Sequence, residues 1–179
     1  EKSRVTQVFD ADWTTEQSGN WGLASYSPLG QTLFQVEYDK PTAGLKTSGH
    51  QSESIKKFSV SRDGIMKFDG HELGLRADEI GCFLSHKIPQ KWLSQIVGED
   101  QTPEGLIYDI RDGQRRILLH ISKHGSREQY SWKADIQWSL YWGFQKVNLS
   151  VGLLRSEPAI LVRSDRFQDH ECRIVVQEE

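Results

Sequence analysis

A chain of 179 residues reads as one domain, 1–179, long enough to bury roughly 70% of the surface its unfolded form exposes. Its supply of Leu, Ile, Val and Phe excludes intrinsic disorder. A formal net charge of −3 with acids and bases interspersed argues against nucleic-acid binding, and no apolar run approaches the ~20 residues of a membrane-spanning helix.

The first stretch with character is "DADWTTEQSGNWG", where Trp13 and Trp21 stand in polar, turn-rich surroundings. Both are candidates for an exposed recognition surface. In "LFQVEYD", Phe34, Val36 and Tyr38 alternate with Gln35, Glu37 and Asp39, the pattern of a half-buried strand. "SPLG" ahead of it, with Pro28 and Gly30, predicts a turn between strands near 21–26 and 32–38. Asp63-Gly64 in "KFSVSRDGIMKF" and Asp112-Gly113 in "LIYDIRDGQRRILLHIS" sit between short alternating runs. Asp-Gly tolerates the positive φ of tight hairpins, so each predicts a further hairpin.

Between these two hairpins, Ile80, Cys82 and Leu84 alternate with Gly81, Phe83 and Ser85, which predicts a buried strand through "ADEIGCFLSHK". "IPQKWLSQIVG" follows, with Pro89 suited to a first helical turn, Trp92, Leu93 and Ile96 on one face and Gly98 as a stop. It is the one predicted helix, near residues 89–97. Arg111, Arg115 and Arg116 bracket the second Asp-Gly turn and read as a solvated loop.

The strongest signal is "YSWKADIQWSLYWGF". Tyr130, Trp132, Ala134, Ile136, Trp138, Leu140, Trp142 and Phe144 share one parity, which no helix stripe can produce. The row reads as one side of a core, because tryptophan is heavily buried on average. Beyond it the apolar parity flips to Val147, Leu149, Val151 and Leu153, so a bulge or turn is expected near Gly143. "AILVR" and "CRIVV" complete a mainly β chain of about ten strands, an antiparallel sandwich or barrel built from hairpins.

Catalytic and metal-binding patterns are sparse. His120 and His124 have a spacing that converges on a metal only from a helix, and they flank a predicted strand end. "DHEC", residues 169–172, gathers ligand types on a strand whose neighbours face opposite ways. Glu37, Asp39, Asp109 and Asp135 are glycosidase carboxylates by type alone. No metal, cofactor or catalytic residue is therefore expected. Cys82 and Cys172 are a disulfide candidate if the protein is exported. Glu1 as the first residue, with Met66 the only methionine, is compatible with signal-peptide removal, with tag cleavage or with a trimmed chain. Periplasmic or extracellular location is the expectation.

Residues 68–97, "FDGHELGLRADEIGCFLSHKIPQKWLSQIV", resemble a segment of the family 25 glycosyltransferases, which build lipo-oligosaccharide and related glycans. Asp69-Gly70, Glu79-Ile80-Gly81-Cys82, Leu84-Ser85-His86, Trp92 and Ile96-Val97 fall in the family's order. The resemblance implies an α/β nucleotide-binding core and an acidic cluster holding a divalent ion against a nucleotide-sugar diphosphate. Asp69, Glu79, His86 and Asp109 would be its functional residues. Where the family's acidic cluster should follow, this chain has "GLIYDI" with the single Asp109, and its one Asp-x-Asp, Asp10-Ala11-Asp12, precedes the segment.

Two functions are expected from these observations. The first is a non-catalytic, exported β-rich module that binds a protein, as inhibitors, immunity proteins and envelope factors do, or a glycan. The alternative is a carbohydrate-active enzyme related to the transferases through residues 68–97.

Overall fold

The computed structural model describes residues 11–16, 18–49, 58–140, 145–156, 159–164 and 171–175. The chain is mainly antiparallel β, with three sheets and two short helices among the described residues. Two compact units are distinguished, Glu1–Glu72 and Leu73–Glu179.

In the first unit, β1 (Ala11–Thr15), β2 (Trp21–Tyr26), β3 (Thr32–Asp39) and β4 (Gly44–Ser48) follow one another across an antiparallel sheet. The "SPLG" turn closes as its residues require. Gly30 N donates to the Ser27 carbonyl at 2.8 Å, and Ser27 N donates to the Gln31 carbonyl at 2.8 Å. Trp21, Tyr38 and Leu45 occupy one cross-strand row, and Trp13, Leu23, Val36 and Thr47 the next. A smaller sheet follows in the order β5 (Phe58–Val60), β6 (Ile65–Phe68) and β7 (His71–Arg76), with the division between units inside β7.

The second unit is an up-and-down sheet of seven strands. These are β8 (Ile96–Gln101), β9 (Gly105–Asp112), β10 (Arg115–Ser122), β11 (Tyr130–Leu140), β12 (Gln145–Leu154), β13 (Ala159–Ser164) and β14 (Glu171–Val175). Register puts Ile110, Ile117, Ile136 and Leu149 in one row, and Tyr108, Leu119, Ala134, Val151 and Val162 in the next. This face is the core, and Trp132 and Trp138 are buried. Trp142 and the turn expected at Gly143 lie outside the described residues. The second Asp-Gly hairpin turns one residue later than its motif suggests. Asp112 pairs with Arg115, leaving Gly113 and Gln114 as the loop.

The buried strand expected through residues 80–84 is instead a helix, α1 (Ala77–Leu84). A short apolar run fits both periods: Ile80, Cys82 and Leu84 alternate, while Ala77, Ile80, Phe83 and Leu84 follow a helical stripe. The ends decide. Glu79 reaches back to accept the Arg76 backbone N–H at 2.9 Å, as the third residue of a capping box does. At the other end Lys87 N donates to the Cys82 carbonyl at 2.8 Å and His86 N to the Phe83 carbonyl at 2.9 Å. That pair of bonds is a Schellman stop, with His86 in the left-handed position at φ 57°.

The helix expected near 89–97 is a single turn, α2 (Gln90–Leu93), with Pro89 as its N-cap. Ile96 already pairs with Ile110, so its apolar side chain serves the sheet rather than a helix face. Phe83 and Trp92 pack with ring centres 5.7 Å apart, and Phe83 lies 6.1 Å from Trp132. Both helices thus join the core face of the sheet.

Cys82 is a reduced thiol on α1, and the disulfide to Cys172 is not formed. Its neighbours Glu79 and Phe83 contact β10 and β11, whereas Cys172 stands on β14, opposite Val162. Three to four strand spacings separate those positions, about 14–19 Å, against the ~6 Å between Cα atoms that a disulfide needs.

Arg115, expected in a solvated loop, is fully buried. Its Nη1 donates to Glu79 Oε2 at 2.8 Å and to the Gly74 carbonyl at 3.1 Å, and its Nη2 donates to Glu79 Oε1 at 2.6 Å and to Asp112. Trp92 Nε1 donates to Glu79 Oε1 at 2.7 Å. Arg76 Nε donates at 3.0 Å to Asp112 Oδ2, the oxygen that Arg115 also binds, and Lys91 Nζ donates at 3.3 Å to Oδ1. Burial alone would raise the Asp112 carboxyl, but the hydrogen bonds and charges of Arg76 and Arg115 outweigh it and hold the group well below the usual carboxylate range.

Replacing Arg115→Leu leaves two buried carboxylates short of a partner and is expected to cost about 3–5 kcal/mol in urea unfolding. The double variant Arg115→Leu with Glu79→Gln should lose less than the single one. Because the folded-state pKa of Asp112 lies below its unfolded value of about 3.9, its contribution is complete above that value and is lost as pH falls. The urea midpoint should therefore drop between roughly pH 5 and pH 2, and Asp112→Asn should be weaker at neutral pH with a shallower acid dependence.

Candidate functional site

Fixing one face of the seven-stranded sheet as core assigns the other by parity alone. Three rows cross it. Arg111, Arg116, Gln137 and Asn148 form the first; Asp109, Leu118, Asp135, Ser150 and Arg163 the second; Asp100, Ile107, His120, Lys133, Gly152 and Leu161 the third. Most of these side chains are half-buried or exposed.

Two carboxylates organise the polar groups. Asp109 accepts from Arg116 Nε at 3.2 Å and Nη2 at 2.9 Å, with Arg111 Nε at 3.6 Å. The hydrogen bond from Arg116 is the main reason that the Asp109 carboxyl is held below its ordinary range. Asp135 accepts from Ser150 Oγ at 2.5 Å and Lys133 Nζ at 3.0 Å, and His120 Nε2 stands 3.7 Å from it. Ser150 thus donates straight to a carboxylate with no histidine between them, which is not the arrangement of an activated nucleophile.

One residue breaks parity. The pairing shifts between Tyr130, opposite Leu154, and Trp132, opposite Leu153, so Ser131 is the extra residue of a β-bulge. The bulge turns Tyr130 away from the core row of Trp132 and Ala134 and onto the polar face, beside Lys133 and Gly152. A side chain at residue 152 would collide with it, since an added Cβ would lie 2.6 Å from Tyr130 Cδ1. The ring lies where only glycine leaves room. Next to it opens a cleft of about 320 Å³, lined by Glu104, Ile107, His120, Glu128, Tyr130 and Lys133 among others.

The residues singled out in sequence are scattered. Trp13 is half-buried on β1, and Trp21 is buried against Tyr38 with ring centres 5.8 Å apart, so the latter presents no open surface. Of the transferase-like residues, Asp69 sits in the first unit with φ 50°. Glu79 is consumed by Arg115 and Trp92 on the core face, while Asp109 lies on the opposite face with Arg116. His86 is the helix stop. Asp10 lies outside the described residues. Among those described, no three His, Cys, Asp or Glu side chains are disposed to share a metal ion.

Tyr130 was legible only as another member of the alternating row. Nothing local marks Ser131 as a bulge, and the reason for Gly152 is a contact made across strands. No family model matches the chain, and neither a curated protein nor a solved structure resembles it at a significant level.

Gly152→Val forces the Tyr130 ring out of its seat. It is expected to lower stability by about 1–3 kcal/mol, as overpacking does, measured by urea unfolding. Gly152→Val with Tyr130→Ala should recover most of that loss.

Proposed function

We propose that this protein is a non-catalytic binding module that takes a glycan in the cleft on the polar face of the seven-stranded sheet. The observation that carries this reading is the bulge that delivers Tyr130 to that face over Gly152. Bulges re-aim side chains at functional positions and cost ladder pairing, and here the redirected residue is an aromatic with a polar tip. A flat ring supplies apolar contact to the C–H surface of a sugar, and the neighbouring His120, Lys133, Glu104 and Glu128 supply hydrogen bonds for its hydroxyls. A volume of about 320 Å³ lies at the small end of the range for ligand sites.

The transferase reading has less support. It needs clustered carboxylates around a nucleotide-sugar diphosphate, and Glu79 and Asp109 are held by different arginines on opposite faces of one sheet.

On a glycan array the protein should retain at least one saccharide class. Tyr130→Ala should weaken that binding about tenfold or more, a typical loss when a stacked aromatic is removed, with an unchanged circular dichroism spectrum. Binding that survives Tyr130→Ala, or none to any saccharide, would overturn the proposal. Incubation with nucleotide-sugars and manganese should release no nucleoside diphosphate.

A further inference from the structure

We infer that the glycan is acidic, with its anionic substituents seated on Arg111 and Arg116. The inference rests on the glycan reading above and concerns the row of the polar face farthest from Tyr130. That row, Arg111, Arg116, Gln137 and Asn148, carries two guanidiniums and two carboxamides and no carboxylate. The protein as a whole is anionic, with a formal charge of −3, so this concentration of cationic donors runs against its composition.

Arg111 and Arg116 are directly opposed partners on β9 and β10. Like charges in that relation destabilise a sheet. One carboxylate lies between them, and it is shared unequally. Asp109 takes two hydrogen bonds from Arg116, whereas its closest approach to Arg111 is 3.6 Å, beyond hydrogen-bond reach. The Arg111 side chain is 55% exposed and that of Arg116 44%. Two further acids of the face, Asp135 and Asp100, do not reach them. Asp135 is held by Lys133 and Ser150 in the middle strands, and Asp100 is on edge strand β8, in the row of His120. An anion placed on the arginine row would relieve the repulsion and accept from the planar donor fork of Arg111, which matches carboxylate and sulfate geometry.

From His120 in the cleft to Arg116 is four residues along β10, about 13 Å. A ligand touching both ends is therefore an oligosaccharide, one ring at Tyr130 and a charged ring at the arginines. The carboxylate of a uronate and a sulfate ester share the required chemistry.

The test measures binding of three probes by calorimetry: an oligogalacturonate, its neutral methyl ester, and a sulfated oligosaccharide. The acidic probe of one or both kinds should bind at least tenfold more tightly than the ester, and which one binds identifies the anion. Arg111→Ala should remove most of that preference, while Arg62→Ala, an exposed arginine of the first unit, should leave it intact. Equal binding of acid and ester overturns the inference and leaves the glycan reading standing. A loss for Arg62→Ala equal to that for Arg111→Ala also overturns it, since the effect would then be general charge. If the ester, the acids and the full array all fail to bind, the glycan reading falls with it.

Discussion

The buried guanidinium of Arg115 is the constraint on which the second unit depends. A charge with no solvent contact must be matched by acceptors in place, because desolvation costs more than any single pair returns. Arg115 finds Glu79 on α1, the Gly74 carbonyl on β7 and Asp112 across the hairpin. Glu79 in turn accepts the indole N–H of Trp92 and the backbone N–H of Arg76. One side chain thereby joins a strand end, a hairpin, a helix start and the following helical turn. Hydrophobic residues of equal volume could fill the same space but would not demand the same neighbours.

That demand selects the register. Sliding β10 by one residue would carry Arg115 to the polar face and Arg116 into the core, where Glu79 and Asp112 would lack their partner. The parity of every row on the seven-stranded sheet follows from this choice, and with it the outward placement of Asp109, Arg111, Asp135 and Lys133. Tyr130 belongs to the polar face only because the bulge at Ser131 adds one residue to that parity.

How much of this was legible in sequence varies with the range of the contact that decides it. Alternation placed the strands and turn residues placed the hairpins, because both are local. Helix α1 escaped because its apolar residues satisfy two periods at once, and the deciding bonds at Arg76 and at His86 are made by residues that look unremarkable. Arg115 escaped for a different reason. Beside Arg116 and an Asp-Gly turn it has the look of surface charge, and only the carboxylate of Glu79, 36 positions earlier in the chain, explains its burial. The cleft was the least legible part. It arises from an inserted residue and from an absent side chain, and neither has a signature in a single sequence.

The contact between Tyr130 and Gly152 also has an evolutionary reading. Since any Cβ at 152 would overlap the ring, the two positions are not independent: a larger residue at 152 is compatible only with a smaller or redirected one at 130. Among divergent descendants of this chain, the aromatic and the glycine should be kept or lost together, even where the surrounding strands have drifted beyond recognition. The pair, with one extra residue between 130 and 132, would mark common ancestry of the cleft more durably than overall identity does.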